Sequence, residues 1–315
     1  MQRFRELLGE LGFAESDHAL PDSTKRFPDG AQYRVELPSV EGPEVFDAVL
    51  AEAAARGVPV HRVSQGSGGM LLTGDELARM TEIGVGARTE VSLFARPLAG
   101  WSTGAAALAS GAGALAAQAR GTEQVVHNLA DIARSAAAGI RSVLITDLGT
   151  LEVAAAARER GLLPASLQFK ISVQMGLSNP VSIRLAERVG ADTYNVPTDL
   201  GLGQLAAVRA AVDLPLDIYL EAPDDQGGFV RHFEIAEIVR VAAPVYLKFG
   251  LRNSPNIYPS GTHLTDVAIR LARERVRRAE IGLALLAEEM PDAVMSELGA
   301  EGIALPEPLN QGAAR

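Results

Sequence analysis

Residues 167–198 read LQFKISVQMGLSNPVSIRLAERVGADTYNVPT, and this stretch holds one strand, one helix and the next strand. β-Forming residues span Leu167–Gln174 and again Thr193–Thr198. Between them, Ser-Asn-Pro at 178–180 starts a helix, because asparagine is a favoured cap and proline fits the first helical turn. Gly190 then ends that helix. The pattern predicts a strand–helix unit of a parallel sheet.

The same alternation recurs along the chain, and it gives eight strand–helix units. The predicted strands are Tyr33–Val40, Val58–Gln65, Glu90–Arg96, Ser142–Asp147, Leu167–Gln174, Thr193–Thr198, Leu216–Glu221 and Pro244–Phe249. The helices are predicted to follow Pro43, Gly74, Thr122, Thr150, Asn179, Leu202 and Arg231, and the last begins near His263. Eight parallel strands, each followed by a helix, most simply close into a (β/α)8 TIM barrel, and an open doubly wound sheet is the alternative.

The chain of 315 residues is predicted to form a single domain. Its parts are an N-terminal helix and lead-in over 1–30, the barrel over 31–290 and a C-terminal tail over 291–315. Apolar residues of the first helix share one stripe, formed by Phe4, Leu7, Leu8 and Leu11. We therefore expect this helix to pack beneath the barrel. The Ala/Gly-rich connection Pro97–Gly121 is predicted to be a lid or a packing helix.

The last helix is extended and carries a Leu/Ile/Ala stripe over Arg270–Glu289. This stripe predicts either a subunit contact in a homo-oligomer or a contact with the N-terminal residues 1–13.

Composition excludes several classes of function. The chain has no cysteine, which rules out disulfides, a thiolate nucleophile and a cysteine-held iron–sulfur cluster. The net charge of -10 disfavours binding to nucleic acid and to anionic membranes. The first residues lack the apolar run of a secretory signal, and the apolar tract over 104–119 is too short to span a bilayer. We expect a cytoplasmic protein.

Period-two alternation assigns one face of each strand to the barrel interior, and that face is polar near its C-terminal end. The inward residues are predicted to be Arg34, Glu36, Arg62, Ser64, Ser92, Arg96, Asp147, Lys170, Ser172, Gln174, Asn195, Tyr219, Glu221 and Lys248. Active sites of TIM barrels lie at the C-terminal ends of the strands. The sequence therefore predicts a water-accessible polar cavity there.

Lysine is rare in this chain: of 29 basic residues, only Lys25, Lys170 and Lys248 are lysine. Two of the three fall inside predicted barrel strands. An amine with a lowered pKa serves as a Schiff-base nucleophile or proton-transfer group, which an arginine cannot do. The structural alternative is an ion pair, because Glu36 and Lys248 lie on strands that become neighbours when the barrel closes.

Further residues complete the predicted site. Glu221 is the candidate general acid/base, with a salt bridge to Lys170 or Lys248 as the alternative. Arginine binds carboxylates and phosphates well, so an anionic substrate is expected to be held by Arg62, Arg96 and Arg252. The other predicted substrate-binding residues are Glu36, Asp147, Gln174, Asn195, Tyr219 and Asn253.

No cofactor is predicted, since the chain has no P-loop and no dinucleotide fingerprint. Residues of the ligand types for a hard divalent metal are Glu36, His61, Asp147, Glu221 and His263. None of them stands in a His-x-His or His-Glu-x-x-His spacing. A divalent metal is therefore kept as an alternative, and no metal ligand is assigned.

Four segments resemble a known family. They are HRVSQGSG at 61–68, YNVPTDL at 194–200, DIYLEAPDD at 217–225 and YLKFGLRN at 246–253. They look like bacterial proteins related to the collagenase-like peptidases of family thirty-two, of unknown mechanism. The resemblance spans residues 33–278 and implies a barrel domain. Several members carry iron–sulfur clusters and act in hydroxylation, but their cysteine signature has no counterpart here, so neither property carries over.

The sequence thus predicts an enzyme that acts on a small anionic metabolite by lyase (aldolase-like) or isomerase chemistry. Lys170 or Lys248 would supply the amine and Glu221 the acid/base group. One alternative is a metal-dependent hydrolase, including the peptidase that the resemblance implies. Another is a barrel that binds a ligand without catalysis.

Overall fold

The computed structural model describes residues 2–11, 19–95 and 118–308. Its sheet consists of parallel strands β1 (Tyr33–Pro38), β2 (Arg62–Gln65), β3 (Glu90–Phe94), β4 (Ser142–Ile145), β5 (Gln168–Ile171), β6 (Thr193–Asn195), β7 (Leu216–Glu221) and β8 (Val245–Phe249). The strands follow one another in chain order, and β1 pairs with β8. The barrel is therefore closed, and the prediction of a (β/α)8 TIM barrel is confirmed over the open sheet.

Helices alternate with the strands along the chain. In the described residues they are α1 (Gln2–Glu10), α2 (Pro43–Arg56), α3 (Gly74–Ala87), α4 (Gly121–Ala137), α5 (Leu148–Glu159), α6 (Pro180–Val189), α7 (Leu202–Ala211), α8 (Ile235–Ala242) and α9 (Thr265–Glu289). The Asn179 side chain accepts from the backbone N–H groups of Val181 and Ser182, which confirms the helix start read from the sequence. Gly190 caps the other end of this helix.

The apolar core lies between the outer face of the sheet and the helices. Strand residues of the outward parity, such as Val35, Leu247 and Phe249, are fully buried there. Burial of one such side chain contributes about 1.5–3 kcal/mol relative to exposure. The outward-facing strand positions thus hold apolar side chains that pack against the helices, and the polar side chains occupy the inward-facing positions.

Five predicted strands, β1 and β3 to β6, are longer than the observed ones at their C-terminal ends, while β2, β7 and β8 end where predicted. Strand β5 ends at Ile171, and the Ser172 side chain accepts from the backbone N–H of Gln174 and starts a short 3-10 turn over Val173–Met175. Gln174 therefore lies in a turn at the barrel mouth and not on a strand.

The N-terminal end of the barrel is closed by the segment after α9. Tyr33 bridges to Met295, and inside the barrel Arg34 Nε donates to Ser296 Oγ (2.9 Å) while its Nη2 donates to the Glu301 carbonyl (2.7 Å). The prediction that α1 packs beneath the barrel is wrong for its described apolar residues, because Phe4, Leu7 and Leu11 are 46–62% exposed. The segment that follows α9 covers that end of the barrel instead of α1.

Two other sequence predictions concern the long connection and the absence of a membrane span. Most of Pro97–Gly121, including Trp101, lies outside the described residues, as does Arg96. Within the residues that the structure describes, no helix is both long enough and apolar enough to cross a bilayer.

Candidate active site

Six charged side chains fill the barrel interior below its C-terminal mouth. None is more than 3% exposed, and they are Glu36, Arg62, Glu90, Lys170, Asp217 and Lys248. They stand on six different strands, at inward positions set by the alternation of side chains along each strand. Three are cations and three are anions. Because a buried charge is costly unless it is paired, this balance stabilises the set as a whole.

Arg62 contacts all three carboxylates, with Glu36 Oε2 the most distant at 3.3 Å from its Nη1. Its Nε lies 2.6 Å from Glu90 Oε1, and its Nη1 lies 3.0 Å from Asp217 Oδ1. The guanidinium also stacks over the Tyr246 ring at 3.5 Å. The ion partners and the stacking ring fix this arginine in place, so it is a structural part of the interior.

Glu36 is shared between the two buried lysines. Lys170 donates to Glu36 Oε2 and also contacts Asp217 Oδ2 at 2.8 Å. Lys248 Nζ lies 3.0 Å from Glu36 Oε1 and donates to Asn195 Oδ1 at 2.8 Å. The contact between Glu36 and Lys248 is the one expected from barrel closure. One carboxylate thus holds the two amines on its two oxygens.

The charges around Glu36 and Lys170 set their protonation. Burial acts to raise the pKa of Glu36, but Lys170, Lys248 and Arg62 together hold it well below its usual value. Burial lowers the pKa of Lys170 to about 8, against the opposing effect of Asp217 and Glu36. The positive charge of Lys248 also acts to lower the pKa of Lys170. Glu36 is therefore a carboxylate at neutral pH, while the pKa of Lys170 lies close to neutral pH.

The polar cavity predicted at the C-terminal ends of the strands is present, but it does not extend among the buried charges. The inward charges neutralise one another at close range, which removes the need for solvent. Open space begins above them, at the C-terminal ends of the strands.

That space is a small cavity of about 50 Å³, within a depression that opens to solvent. Its lining is mostly hydroxyl, amide and apolar, and it includes Ser39, Ser64, Gln65, Phe94, Leu144, Ser172, Gln174, Asn195, Tyr219, Asp225, Gln226, Lys248 and Tyr258. Lys248 contributes to the lining, and Lys170 lies beneath it. The structure therefore distinguishes the two lysines that the sequence treated alike.

Four of the predicted site residues meet at the floor of this cavity: Gln174, Asn195, Tyr219 and Lys248. The Lys248 ammonium lies 4.6 Å from the centre of the Tyr219 ring, a cation–π contact that holds the amine over the ring face. Glu36 lies directly below, and the Ser64 hydroxyl at the floor donates to its carboxylate.

Glu221 does not reach the cavity. The register of β7 against β8 shifts between Tyr219 and Glu221, so a bulge interrupts the alternation and turns Glu221 to the outside of the barrel. Its Oε2 lies 3.6 Å from His232 Nε2 and 3.7 Å from Arg278 Nε. The predicted salt bridge to Lys170 or Lys248 is therefore absent from the described contacts of Glu221.

The remaining predicted residues lie around the rim. Asp147 is the N-cap of α5, where its Oδ1 accepts from the Thr150 backbone N–H at 2.7 Å. Arg252 is 57% exposed and pairs with Asp224 at 3.4 Å. The backbone N–H of Asn253 donates to the same carboxylate. These three do not line the cavity.

Sequence reasoning missed three lining residues that come from loops. Ser39 follows β1 in a left-handed backbone conformation (φ 63°), and Tyr258 follows β8. Asp225 lies in the loop after β7, and partial burial together with the nearby Asp224 raises its pKa. Strand periodicity says nothing about loop residues, so alternation could not identify them. Two sequence features could have drawn attention to these loops: the acidic pair at 224–225 just after β7, and the Tyr-Pro pair at 258–259.

The candidate metal ligands are dispersed in the structure. His61 lies at the N-terminal end of the barrel, where Nδ1 accepts from the Val35 N–H (3.0 Å) and Nε2 donates to the Ser296 carbonyl (2.8 Å). Among residues 2–11, 19–95 and 118–308, no group of three or more histidine, aspartate or glutamate side chains is placed to hold a metal ion. The residues described here thus give no basis for assigning a metal site.

No family model matches the chain, and no curated protein matches it significantly. Among solved structures it is similar to the U32 peptidase Mk0906 (14% identity, 65% of this chain and 73% of that one, TM-score 0.40). It is also similar to the YdjI aldolase from Escherichia coli K12 (14%, 82% and 94%, TM-score 0.48). A third is the truncated 3-deoxy-D-arabino-heptulosonate 7-phosphate synthase from Thermotoga maritima (12%, 88% and 95%, TM-score 0.46). These likenesses concern the fold.

Proposed function

We propose that the protein is an enzyme that forms an imine between Lys248 and the carbonyl group of a small anionic metabolite. The reaction is of the lyase (aldolase-like) or isomerase kind. One observation carries the proposal: two lysine amines share the Glu36 carboxylate, and Lys248 is the one that faces the cavity.

The position of Lys248 suits an amine nucleophile. Its Nζ is held by Glu36 Oε1 at 3.0 Å and by Asn195 Oδ1 at 2.8 Å, and the side chain lines the cavity, so a carbonyl compound there meets the amine directly. Lys248 is 3% exposed, and Lys170 binds the other oxygen of the same carboxylate. The proposal therefore gives Lys248 the role of nucleophile and Lys170 that of a positioning residue beneath it.

The anionic group of the substrate needs a partner at the rim. Arg62 is committed to Glu90 and Asp217, so it is not available. Arg252 lies in the loop that follows β8, is exposed and pairs with Asp224 at 3.4 Å, so a substrate anion would replace that carboxylate as its partner. We assign the anion to Arg252 within the described residues.

Borohydride reduction tests the imine. The protein is incubated with pyruvate, glyceraldehyde or dihydroxyacetone phosphate, reduced, and weighed intact. We expect one adduct per chain in the wild type and none in Lys248→Met. Lys25→Met is the matched control, because Lys25 lies outside the barrel and pairs with Asp213. Equal labelling in the Lys248→Met variant, or no adduct with any carbonyl compound of a wider set, rejects the proposal.

A specific observation favours a second candidate, a barrel that binds a ligand without catalysis. The six buried charges satisfy one another, as a purely structural set would. This candidate predicts that a ligand still binds Lys248→Met with a similar affinity and that no substrate is turned over by either protein. Isothermal titration with the same three compounds distinguishes the two.

A further inference from the structure

Tyr258 and Ser39 form a pair of hydroxyl groups on the wall of the cavity. The two oxygens are hydrogen-bonded to each other, and both residues line the space above Lys248. Ser39 is 3% exposed and Tyr258 is partly buried. A carbonyl compound that reaches Lys248 therefore enters a space in which this hydroxyl pair is also present.

Three loops hold Tyr258 in position. The ring packs so closely on Gly66 that a Cβ there would lie 2.5 Å from a ring carbon. Ser39 presents its hydroxyl from a left-handed backbone (φ 63°), a conformation that residues with side chains rarely adopt. Such conformations cluster at functional sites, where the surrounding structure maintains them. The pair is thus fixed by the ends of β1 and β2 and by the loop after β8.

A buried positive charge stands behind the pair. Arg275 of α9 is 3% exposed, and its Nε and Nη1 have no hydrogen-bond partner among the described residues. The titratable groups that feel its charge are Tyr258, Glu41, Tyr219 and Glu221. An unpaired buried guanidinium stabilises negative charge that develops next to it.

We propose that Tyr258 is the proton donor and acceptor of this site, with Ser39 as its hydrogen-bonding partner and Arg275 as the charge that stabilises its ionised form. This assignment rests on the proposed imine at Lys248. Tyr219 is the less suitable phenol, because the face of its ring is already occupied by the Lys248 ammonium. Burial and the Glu41 carboxylate raise the pKa of Tyr258, so its phenol carries the proton at neutral pH, and Arg275 acts in the opposite direction.

The proton moves in a closed cycle. The Lys248 ammonium first releases one proton to solvent. The resulting amine attacks the carbonyl carbon, a C–N bond forms, and the carbonyl π pair moves to oxygen, which takes the Tyr258 proton. The phenolate then takes a proton from the new ammonium group and passes it to the departing hydroxyl. Water leaves, the C=N bond forms, and the last nitrogen proton returns to Tyr258. The balance is one amine and one carbonyl giving one imine and one water.

The rate of borohydride-trapped adduct formation at Lys248 tests this assignment, with the carbonyl compound that labels the wild type fastest. Tyr258→Phe keeps the ring on Gly66 and removes the hydroxyl, so we expect trapping to slow about 10²-fold. Ser39→Gly should slow it while holding or raising the melting temperature, since glycine accepts the left-handed backbone. Arg275→Met should slow it without loss of stability, and Arg275→Lys should restore part of the rate.

Trapping at the wild-type rate in Tyr258→Phe overturns the assignment and leaves the imine proposal standing. So does a large loss in Asp225→Asn with none in Tyr258→Phe, because the proton would then come from the rim. If the wild type forms no adduct, the imine proposal fails and this assignment fails with it. A Tyr258→Phe protein that does not fold leaves Ser39→Gly to decide: fast trapping in that variant rejects the pair.

Discussion

Glu36 Oε1 and Lys248 Nζ lie 3.0 Å apart across the seam where the first strand of the barrel meets the last. The other oxygen of Glu36 holds Lys170. This one carboxylate therefore connects the closure of the barrel to the lysine at the floor of the cavity.

Glu36→Gln should destabilise the protein strongly. The substitution keeps the shape of the side chain but leaves Lys170 and Lys248 without their shared counter-charge, and breaking a buried ion pair costs about 3–5 kcal/mol. Equilibrium unfolding in urea measures the loss. Glu82→Gln is the control, since the exposed pair of Glu82 with Arg79 contributes at most about 1 kcal/mol. A similar small loss in both variants would mean that the buried charges do not depend on Glu36.

Lys170→Met should change the pH dependence of adduct formation without abolishing the adduct. Lys170 loses its positive charge as the pH rises through its pKa of about 8, so the trapping rate at Lys248, which shares Glu36 with it, should change near that pH in the wild type and not in the variant. Measurement of the rate between pH 6 and 10 in both proteins checks this. Complete loss of labelling in a folded Lys170→Met protein would make Lys170 the nucleophile.

His61 should make stability depend on pH. Burial lowers the pKa of this histidine to about 4, whereas an unfolded chain titrates near its usual 6.5. Between these values the unfolded state binds more protons than the folded one, so stability should fall as the pH drops from about 6.5 to about 4, by roughly 3 kcal/mol in all. Urea unfolding across this range checks the slope. His61→Gln should lose much of it, and an unchanged slope in that variant would assign the effect to other groups.

Gly66→Ala should slow adduct formation through Tyr258. The new Cβ has no room beside the ring, so the phenol must shift, and small misplacements of this kind cost about 10²-fold in rate. Gly86→Ala is the matched control, because its Cβ would meet nothing within 4 Å. A wild-type rate in Gly66→Ala would show that the position of Tyr258 does not matter.

Glu221→Gln distinguishes the sequence prediction from the observed placement. Glu221 faces His232 and Arg278 outside the barrel, so its neutralisation should lower stability modestly and leave the trapping rate at Lys248 within about twofold. Stopped-flow quenching with borohydride measures that rate. A loss of 10²-fold or more in a fully folded variant would restore Glu221 as the acid/base group.

The sequence was sufficient for the barrel and for most of its inward residues, because both follow from periodicity. Glu36, Arg62, Lys170 and Lys248 all point inward as alternation predicts. Glu221 is an exception, since a bulge depends on how β7 pairs with β8 and leaves no period in the sequence of either strand. Asp147 and Gln174 are two more, because both lie beyond the ends of their strands. The contribution of Tyr258 depends on the path of a loop, which side-chain periodicity does not describe.

The sequence also could not tell which lysine faces the cavity. Lys170 and Lys248 have the same residue type and the same inward parity. Their difference lies in height along the barrel axis, which depends on the stagger of the strands around the closed sheet. Each lysine stands one residue before the end of its strand, but their neighbours differ: Lys170 pairs with Thr193 at the start of β6, whereas Lys248 pairs with Tyr219 of β7 and Glu36 of β1.

The most direct test of the account is the distribution of a reduced carbonyl adduct among the three lysines, read by peptide mass spectrometry after borohydride treatment. The chain is well suited to it, because Lys25, Lys170 and Lys248 are its only lysines. The account predicts the adduct on Lys248, with Lys25 and Lys170 unmodified. An adduct confined to Lys25 or Lys170, or equal labelling of all three, would contradict it.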